Sequence, residues 1–454
     1  MCAVYAHHVS TEVPAAIGNA SPVTDDNRSG ITDIAALSIA TLDIPAEALW
    51  DGADLLDFIP ATGTSAWILG AGAEQSGLVG IGEAGSFRCS GRERFARAQR
   101  WWTQWLSDSG VDTFHPFGRG PIAFMSFSFE ADASESVVVV PQYVIGRDGS
   151  QWWITAPSAE LHDVTVLLQR LKRSEPMQPH SHIAWADGQV PLEQWQQAVA
   201  RAVGRIEARD LDKVVLARDV VGTTDSPIDV GWVMRRLNEA YPSCWTFFVD
   251  GLFGATPELL VSREGAHIHS RVLAGTMKRS RDQFVDHDLA AQLLDSDKDL
   301  GEHRYAVQSV ADALAAHCTD LTVPSEPSLL QLANVQHLAT DVIGELADDT
   351  PAVALAASLH PTAAVCGTPT ERAAKLIGEL EGMNRDRYAA PVGWSSAYGD
   401  GEYGIALRCG LLMNDERTSV RLFAGCGLVA ASTPETERSE SDAKLQAMRN
   451  ALTS

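Results

Sequence analysis

The spacing of apolar residues changes along this chain, and each change marks an element. From about residue 35 to 90, short apolar runs alternate with glycine-rich turns. Ala66-Trp67-Ile68-Leu69 and the segment GLVGIGEAGSF are examples, and they predict strands and hairpins. Residues 93–107 shift to helical spacing, with Phe95, Trp102, Trp105 and Leu106 near one face. These aromatics could stack on a cofactor, but at this period they predict core packing. Residues 122–129, 137–140 and 143–145 return to strand. Gly146-Arg147-Asp148-Gly149 then predicts a hairpin turn into Trp152-Trp153-Ile154. Residues 159–172 read as helix.

The clearest break follows. Residues 174–191, SEPMQPHSHIAWADGQVP, contain three prolines and no sustained period. They set a boundary between an N-terminal part, 31–190, and a C-terminal part, 191–454. Beyond it Leu192, Trp195, Val199, Ala202 and Ile206 mark an amphipathic helix, and Lys213-Val214-Val215-Leu216-Ala217 a β-branched strand. Helices are expected over 228–240, 281–295, 299–317, 351–359 and 370–381. Strands are expected over 245–249, 259–262, 266–270, 391–397, 403–413 and 419–424. Strands in blocks with helices inserted between them predict an α+β fold with antiparallel sheets flanked by helices, rather than repeated βαβ units. Residues 1–30 are small, polar and proline-containing and predict a flexible leader. They show no basic segment followed by an apolar core, so they do not read as a signal peptide.

Composition narrows the function. Lys and Arg number 35 against 59 Asp and Glu, a formal charge of −24, which excludes a nucleic-acid or anionic-membrane surface. A small anionic substrate remains open if a local cationic pocket, with a divalent metal, receives it. No apolar run reaches the length of a membrane helix. The seven cysteines, Cys2, Cys89, Cys244, Cys318, Cys366, Cys409 and Cys426, are scattered and never spaced CxxC. That pattern fits reduced thiols in a cytoplasmic enzyme rather than disulfides or zinc.

A handful of polar residues interrupt apolar surroundings. Lys213 opens the strand KVVLA: it is either a guard against edge pairing or, if it faces a pocket, a base. Glu258 follows a small-residue turn, Gly254-Ala255-Thr256-Pro257, and precedes a buried strand. A partly buried Glu there could donate a proton near neutrality. Asp299 and Glu302 lie at i, i+3 on one helix. Glu437, Glu440 and Lys444 share a face of another, which follows Gly425 and Gly427 at the end of an apolar run. The two acidic helices are either solvated surfaces or, facing each other, an oxygen-ligand set of the kind Mg²⁺ takes. Arg408, inside the apolar strand Ile405-Ala406-Leu407-Arg408, needs a partner: a buried ion pair or a substrate carboxylate. His337 is embedded in Val335-Gln336-His337-Leu338, where a satisfied core histidine is the commoner outcome.

In their order along the chain, the segments KVVLAR, GATPELLV, LAGT (273–276), KDLGEH, NVQHLAT, LHPTAAVCGTPT, PVGW, IALR and AGCGLV…ETERSESDAK resemble the chorismate-utilising enzymes, and among them the isochorismate synthases. They cover roughly 195–450, and 31–190 is similar only weakly, as the N-terminal part of that fold. The resemblance implies a single large chorismate-binding domain, with Lys213 activating water and Glu258 protonating the departing hydroxyl. It implies Mg²⁺ on Glu302 and Glu440, with Asp299 and Glu437 close enough to bind through water. Arg408 and Tyr388 match positions that hold the substrate's carboxylates or pyruvyl ether. Gly275, Thr276, Gly425 and Gly427 match donors around the substrate, and Lys444 a lysine beside metal and carboxylate. His337 and Ala364 join the substrate-binding set.

Ala364 also bears on the choice within the family. Amine-forming and salicylate-forming relatives tend to carry threonine there, so LHPTAAV resembles the isochorismate synthases. LHPTAAV and the IALRC ending are slightly more like the menaquinone-pathway members than the siderophore ones. No LLES-type segment, by which anthranilate synthases bind tryptophan, is apparent, nor a glutamine amidotransferase segment. The expectation is a monomer without an amidotransferase partner. Two readings stand beside it: salicylate synthase, which goes on to eliminate pyruvate, and a non-catalytic chorismate-binding protein. The second has no need of both Lys213 and Glu258. Asn414–Ser419 reads as an inserted hairpin loop away from the site.

Overall fold

The computed structural model describes residues 38–59, 64–110, 116–179, 182–280, 282–332 and 335–453, the side chain of Lys298 excepted. The leader expected over 1–30, and Asn334 of NVQHLAT, lie outside them. Among the described residues the chain forms nine α-helices and two antiparallel sheets, one of twelve strands and one of ten. This is the expected α+β fold. The larger sheet runs Ile39–Asp43, Gln151–Pro157, Tyr143–Asp148, Ser76–Ile81, Thr64–Leu69, Trp245–Val249, Leu252–Thr256, Cys409–Leu412, Ser419–Leu428, Lys213–Thr223 and Gly367–Thr368. Ala184–Asp187, from the proline-rich segment, pairs alongside Lys213–Thr223. The smaller sheet runs Cys318–Thr322, Val335–Leu346, His267–Lys278, Leu259–Glu264, Gly401–Ile405, Pro391–Ser396, Ile122–Ser126, Ser136–Val140 and Gly85–Cys89, with Ser328–Gln331 beside Val335–Leu346.

Both faces of the larger sheet are covered, which explains why its strands read as apolar runs rather than strict alternations. Trp67 packs into one core with Phe124, Leu216, Val261 and Trp394, while its neighbours Ala66 and Ile68 face a second core. Helices Arg94–Asp108 and Leu192–Glu207 close the first core. Helices Val230–Ala240 and Pro434–Leu452 close the second. Phe95, Trp102 and Trp105 are core residues, as their spacing predicts.

Three local expectations are corrected. Gly254-Ala255-Thr256 is not a turn but the end of strand Leu252–Thr256. Its small residues admit a neighbouring backbone, since a Cβ on Gly254 would lie 2.6 Å from the carbonyl oxygen of Arg408. Arg408 is not inside a strand. It sits between Gly401–Ile405 and Cys409–Leu412 at φ +47°, where the chain leaves the smaller sheet for the larger. Gly425 and Gly427 do not end their strand. Ser419–Leu428 runs past them, pairing Gly425 with Ala217 and Gly427 with Val215.

Elsewhere the hairpin turn falls at Gly149 and Ser150, because Gly146 to Asp148 stay in strand. The helix of 159–172 is confined to Val164–Leu171, with Asp163 as its N-cap. Asn414 to Thr418 do join two paired strands, at the far end of Ser419–Leu428 from its glycines.

A buried ion pair braces the region that becomes the site. Arg385, fully buried, donates from Nε and Nη2 to Glu381, and also to the carbonyls of Val365 and Val215. Glu381 in turn accepts the N–H of Ala217 at 2.7 Å. One guanidinium thus ties strand Lys213–Thr223, the loop carrying Ala364, and the turn leading to Tyr388.

Candidate active site

Two of the chain's crossings between the sheets meet. The chain leaves the larger sheet at Thr256 and enters the smaller at Leu259, so Pro257 and Glu258 span the gap. Residues 406–408 carry it back. The Glu258 carbonyl accepts the N–H of Ile405 at 3.1 Å, and the Arg408 carbonyl accepts that of Ala255 at 3.2 Å. Between the crossings lies a cavity of about 220 Å³.

All fifteen candidate residues line it. Lys213, Glu258, Gly275, Thr276, His337, Ala364, Tyr388, Arg408, Gly425 and Gly427 come from the sheets and their loops. Asp299 and Glu302 come from helix Asp297–Ala315, and Glu437, Glu440 and Lys444 from helix Pro434–Leu452. The second helix starts at Thr433, whose hydroxyl caps the N–H of Thr436, with Pro434 in the first turn. Exposed Glu435 and Arg438 point away, as expected of the other face.

Lys213 reaches across the cavity wall. Its Nζ lies 2.5 Å from Oε1 of Glu302. Its stem passes flush over Gly427, where an added Cβ would meet Lys213 Cε at 2.9 Å. Lys444 donates to the Gly425 carbonyl at 2.9 Å and pairs with Glu440 at 2.7 Å. Burial works to lower the Lys444 pKa, but the neighbouring Glu440 outweighs it and the net shift is upward, so this lysine stays charged. Glu258 is 5% exposed. Desolvation pushes its carboxyl up to about 8 against the pull of Lys213, Arg408 and Lys444. At neutral pH it therefore carries a proton that it can give away.

A bulge in strand His267–Lys278 at Gly275, φ +77°, re-aims Thr276 toward His337. Thr276 Oγ1 lies 2.9 Å from His337 Nδ1, and Arg408 Nη2 lies 3.0 Å from His337 Nε2. Arginine can only donate, so Nε2 accepts. Burial, then Arg408 and Lys444, hold this imidazole well below its usual pKa, so it is neutral and its proton is on Nδ1. That proton faces Thr276 Oγ1 and the Gly275 carbonyl, and the threonine's own O–H is left to donate elsewhere. His337 is thus satisfied at both ring nitrogens, and it also lines the cavity. Tyr388 stacks on Phe423 with ring centroids 5.1 Å apart, and its hydroxyl would lie 3.0 Å from a Cβ on Gly425.

The donor set suits a hard divalent cation. Four carboxylates, Asp299, Glu302, Glu437 and Glu440, face the cationic Arg408 and Lys444 and the amine of Lys213, while Glu258 and His337 are neutral. The oxygen-only ligands and residual negative charge fit Mg²⁺. Cys426 Sγ comes within 4.8 Å of the Glu437 and Glu440 oxygens, but it donates to the Glu437 carbonyl. Burial raises its pKa and keeps it a thiol.

Sequence reasoning missed the cavity's apolar wall, including Val215, Leu273 and Phe423, whose residue types also fill the cores. It also missed Ser296, which caps helix Asp297–Ala315 and donates to Asp299 Oδ2 at 2.5 Å. The S-x-x-D spacing of Ser296 and Asp299 was a readable signal for it.

Over residues 50–453 the chain matches the family model described as chorismate binding enzyme. It is 31% identical over 408 residues to the isochorismate synthase MenF of Bacillus subtilis (strain 168), covering 83% of this chain and 85% of that one. A solved structure of a putative 2,3-dihydroxybenzoate-specific isochorismate synthase, DhbC from Bacillus anthracis, aligns with TM-score 0.70 and 31% identity, over 86% of this chain and 96% of the other. The menaquinone-specific isochorismate synthase MenF of Escherichia coli shares the fold at TM-score 0.75 and 24% identity, over 92% and 96%.

Proposed function

The chain belongs to the chorismate-binding enzymes, within them to the isochorismate synthases, which are isomerases, and we propose that it converts chorismate to isochorismate with Lys213 as base and Glu258 as acid. The observation that carries the reading is that Lys213, Glu258 and thirteen further candidate residues line one cavity. A water oxygen bonds to C2 of the ring and gives its proton to Lys213 Nζ, which acts as the uncharged amine. The C4–O bond breaks, and the leaving hydroxyl takes the proton of Glu258 and departs as water. One water enters and one leaves, so substrate and product are isomers. Arg408, Thr276, Tyr388, Lys444 and the backbone at Gly275, Gly425 and Gly427 hold the dianion, and Ala364 forms part of the cavity wall beside it.

Glu302 and Glu440 would hold Mg²⁺, with Asp299 and Glu437 near enough to bind through water. Mg²⁺ bound there offsets the charge of the substrate's carboxylates. We place the enzyme in menaquinone or catechol siderophore biosynthesis, and in a reducing cytoplasm, where its six described cysteines, all free, would persist. Among the described residues no helix is long and apolar enough to cross a membrane.

The test is a product analysis. Purified protein is incubated with chorismate and Mg²⁺, and the products are separated by chromatography. Isochorismate is expected. Salicylate appearing without an added lyase would establish the pyruvate-eliminating reaction instead, and no conversion would leave a binding protein.

A further inference from the structure

A second cavity, of about 300 Å³, lies behind the site. Its walls are Asp212, Lys213, Asp297, Gly301, Glu302, Tyr305, Thr368 and Val429, and it shares only Lys213 and Glu302 with the substrate cavity. The contact between those two residues is therefore part of the wall of both. Helix Asp297–Ala315 divides the spaces: Asp299 and Glu302 line the front, while Asp297, Gly301 and Tyr305, at i, i+4 and i+8, line the rear. Exposed Asp212, Asp297 and Tyr305 place the rear cavity at the surface.

We infer that this rear cavity is the inlet for the water that attacks the substrate. The inference rests on the reaction proposed above, which consumes a water on the Lys213 side of the ring. The front cavity, about 220 Å³, is the space a ten-carbon dicarboxylate would fill. The rear cavity reaches the lysine without passing the substrate. At about 30 Å³ per water it holds several molecules. Its two outer carboxylates, Asp212 and Asp297, repel a dianion and leave neutral water free to pass. Water enters at the rear, bonds to C2 and yields its proton to Lys213 Nζ. The C4 oxygen leaves with the proton of Glu258 on the other side of the ring.

Gly301 offers the test, because a Cβ built there meets nothing within 4 Å. Gly301→Leu projects a side chain into the rear cavity, and Gly301→Ala is the small control. Val429→Phe fills the cavity from the opposite wall. Steady-state kinetics in the forward direction should show kcat at least tenfold lower for Gly301→Leu and Val429→Phe. KM for chorismate and the Mg²⁺ concentration for half activation should stay within twofold of wild type, and Gly301→Ala should match wild type. Thermal melting confirms that each variant is folded, and at least one of the two filled variants must pass. Wild-type kcat in a folded, filled variant overturns the inlet, and so does a fall in kcat that comes with a raised Mg²⁺ requirement or a raised KM. If the wild-type protein itself converts no chorismate, the proposed reaction fails first and takes the inlet with it.

Discussion

Lys213 and Glu302 stand 89 residues apart in sequence, and their side chains meet at 2.5 Å. The amine proposed as base and a carboxylate proposed as metal ligand are therefore rivals for one another. An occupied metal site draws on the carboxylate that otherwise holds the lysine.

From that rivalry, Lys213→Ala should lose turnover without losing metal. We expect kcat to fall by about 10²–10⁴-fold, while Mg²⁺ binding, measured by titration calorimetry, is as tight as in wild type or tighter. Full turnover in this variant would remove Lys213 from the mechanism. In wild type, EDTA should abolish activity and Mg²⁺ restore it, and Glu440→Gln should need more Mg²⁺ for half activation.

The raised pKa of Glu258 sets a pH limit. The acid works only while protonated, so kcat/KM should decline as pH rises through about 8. Glu258→Gln should abolish that limb and cost about 10²–10⁴-fold in kcat. Stability follows the same sign. Between the ordinary carboxylate value of 4.5 and about 8 the unfolded chain releases a proton that the folded one keeps, so stability falls across that window. Above pH 8, Glu258→Gln should melt at a higher temperature than wild type.

The chain from Arg408 through His337 to Thr276 predicts coupled losses. Thr276→Ser should preserve affinity for chorismate, and Thr276→Val should weaken it. A double-mutant cycle of Thr276→Val with His337→Ala should show a coupling of about 0.5–3 kcal/mol. Strict additivity would mean that the imidazole does not orient the hydroxyl.

Gly427 admits the stem of Lys213. Gly427→Ala should displace the amine and lower kcat by about 10²-fold, with a smaller effect on KM. Gly425→Ala, which presses on the Tyr388 hydroxyl instead, should act mainly on KM. The opposite assignment would show that the two glycines do not serve the lysine and the tyrosine separately.

The brace at Arg385 gives a stability prediction. Glu381→Ala leaves a fully buried guanidinium without its carboxylate and should destabilise the fold by about 3–5 kcal/mol in urea unfolding. A loss under 1 kcal/mol would mean that the carbonyls of Val215 and Val365 suffice to hold Arg385.

The helices were legible because their apolar faces repeat cleanly, as in Leu192–Glu207. Strand Val335–Leu346 was not. Its first half is buried on both faces and only its second half alternates, so neither period dominates. Glu258 does precede a buried strand, as its sequence context predicts, but its approach is misread there. Small residues usually mean a turn, and here they admit the Arg408 carbonyl. Arg408 itself looked like a strand residue because IALR is apolar, and nothing local announces a change of sheet. The acidic pairs on helices Asp297–Ala315 and Pro434–Leu452 were visible as helical faces. That they face one cavity depends on packing between two helices far apart in sequence, which no local pattern encodes.

The two crossings of the chain at Glu258 and Arg408 are stitched to each other by backbone hydrogen bonds, and each also offers a side chain to the cavity. A ligand held by both would brace the seam between two sheets that together span the described chain. Occupancy should then be felt far from the ring. Amide hydrogens in strands as remote as Thr64–Leu69 and Pro391–Ser396 should exchange more slowly with substrate or product bound. The seam would make a small ligand a fastener for both sheets.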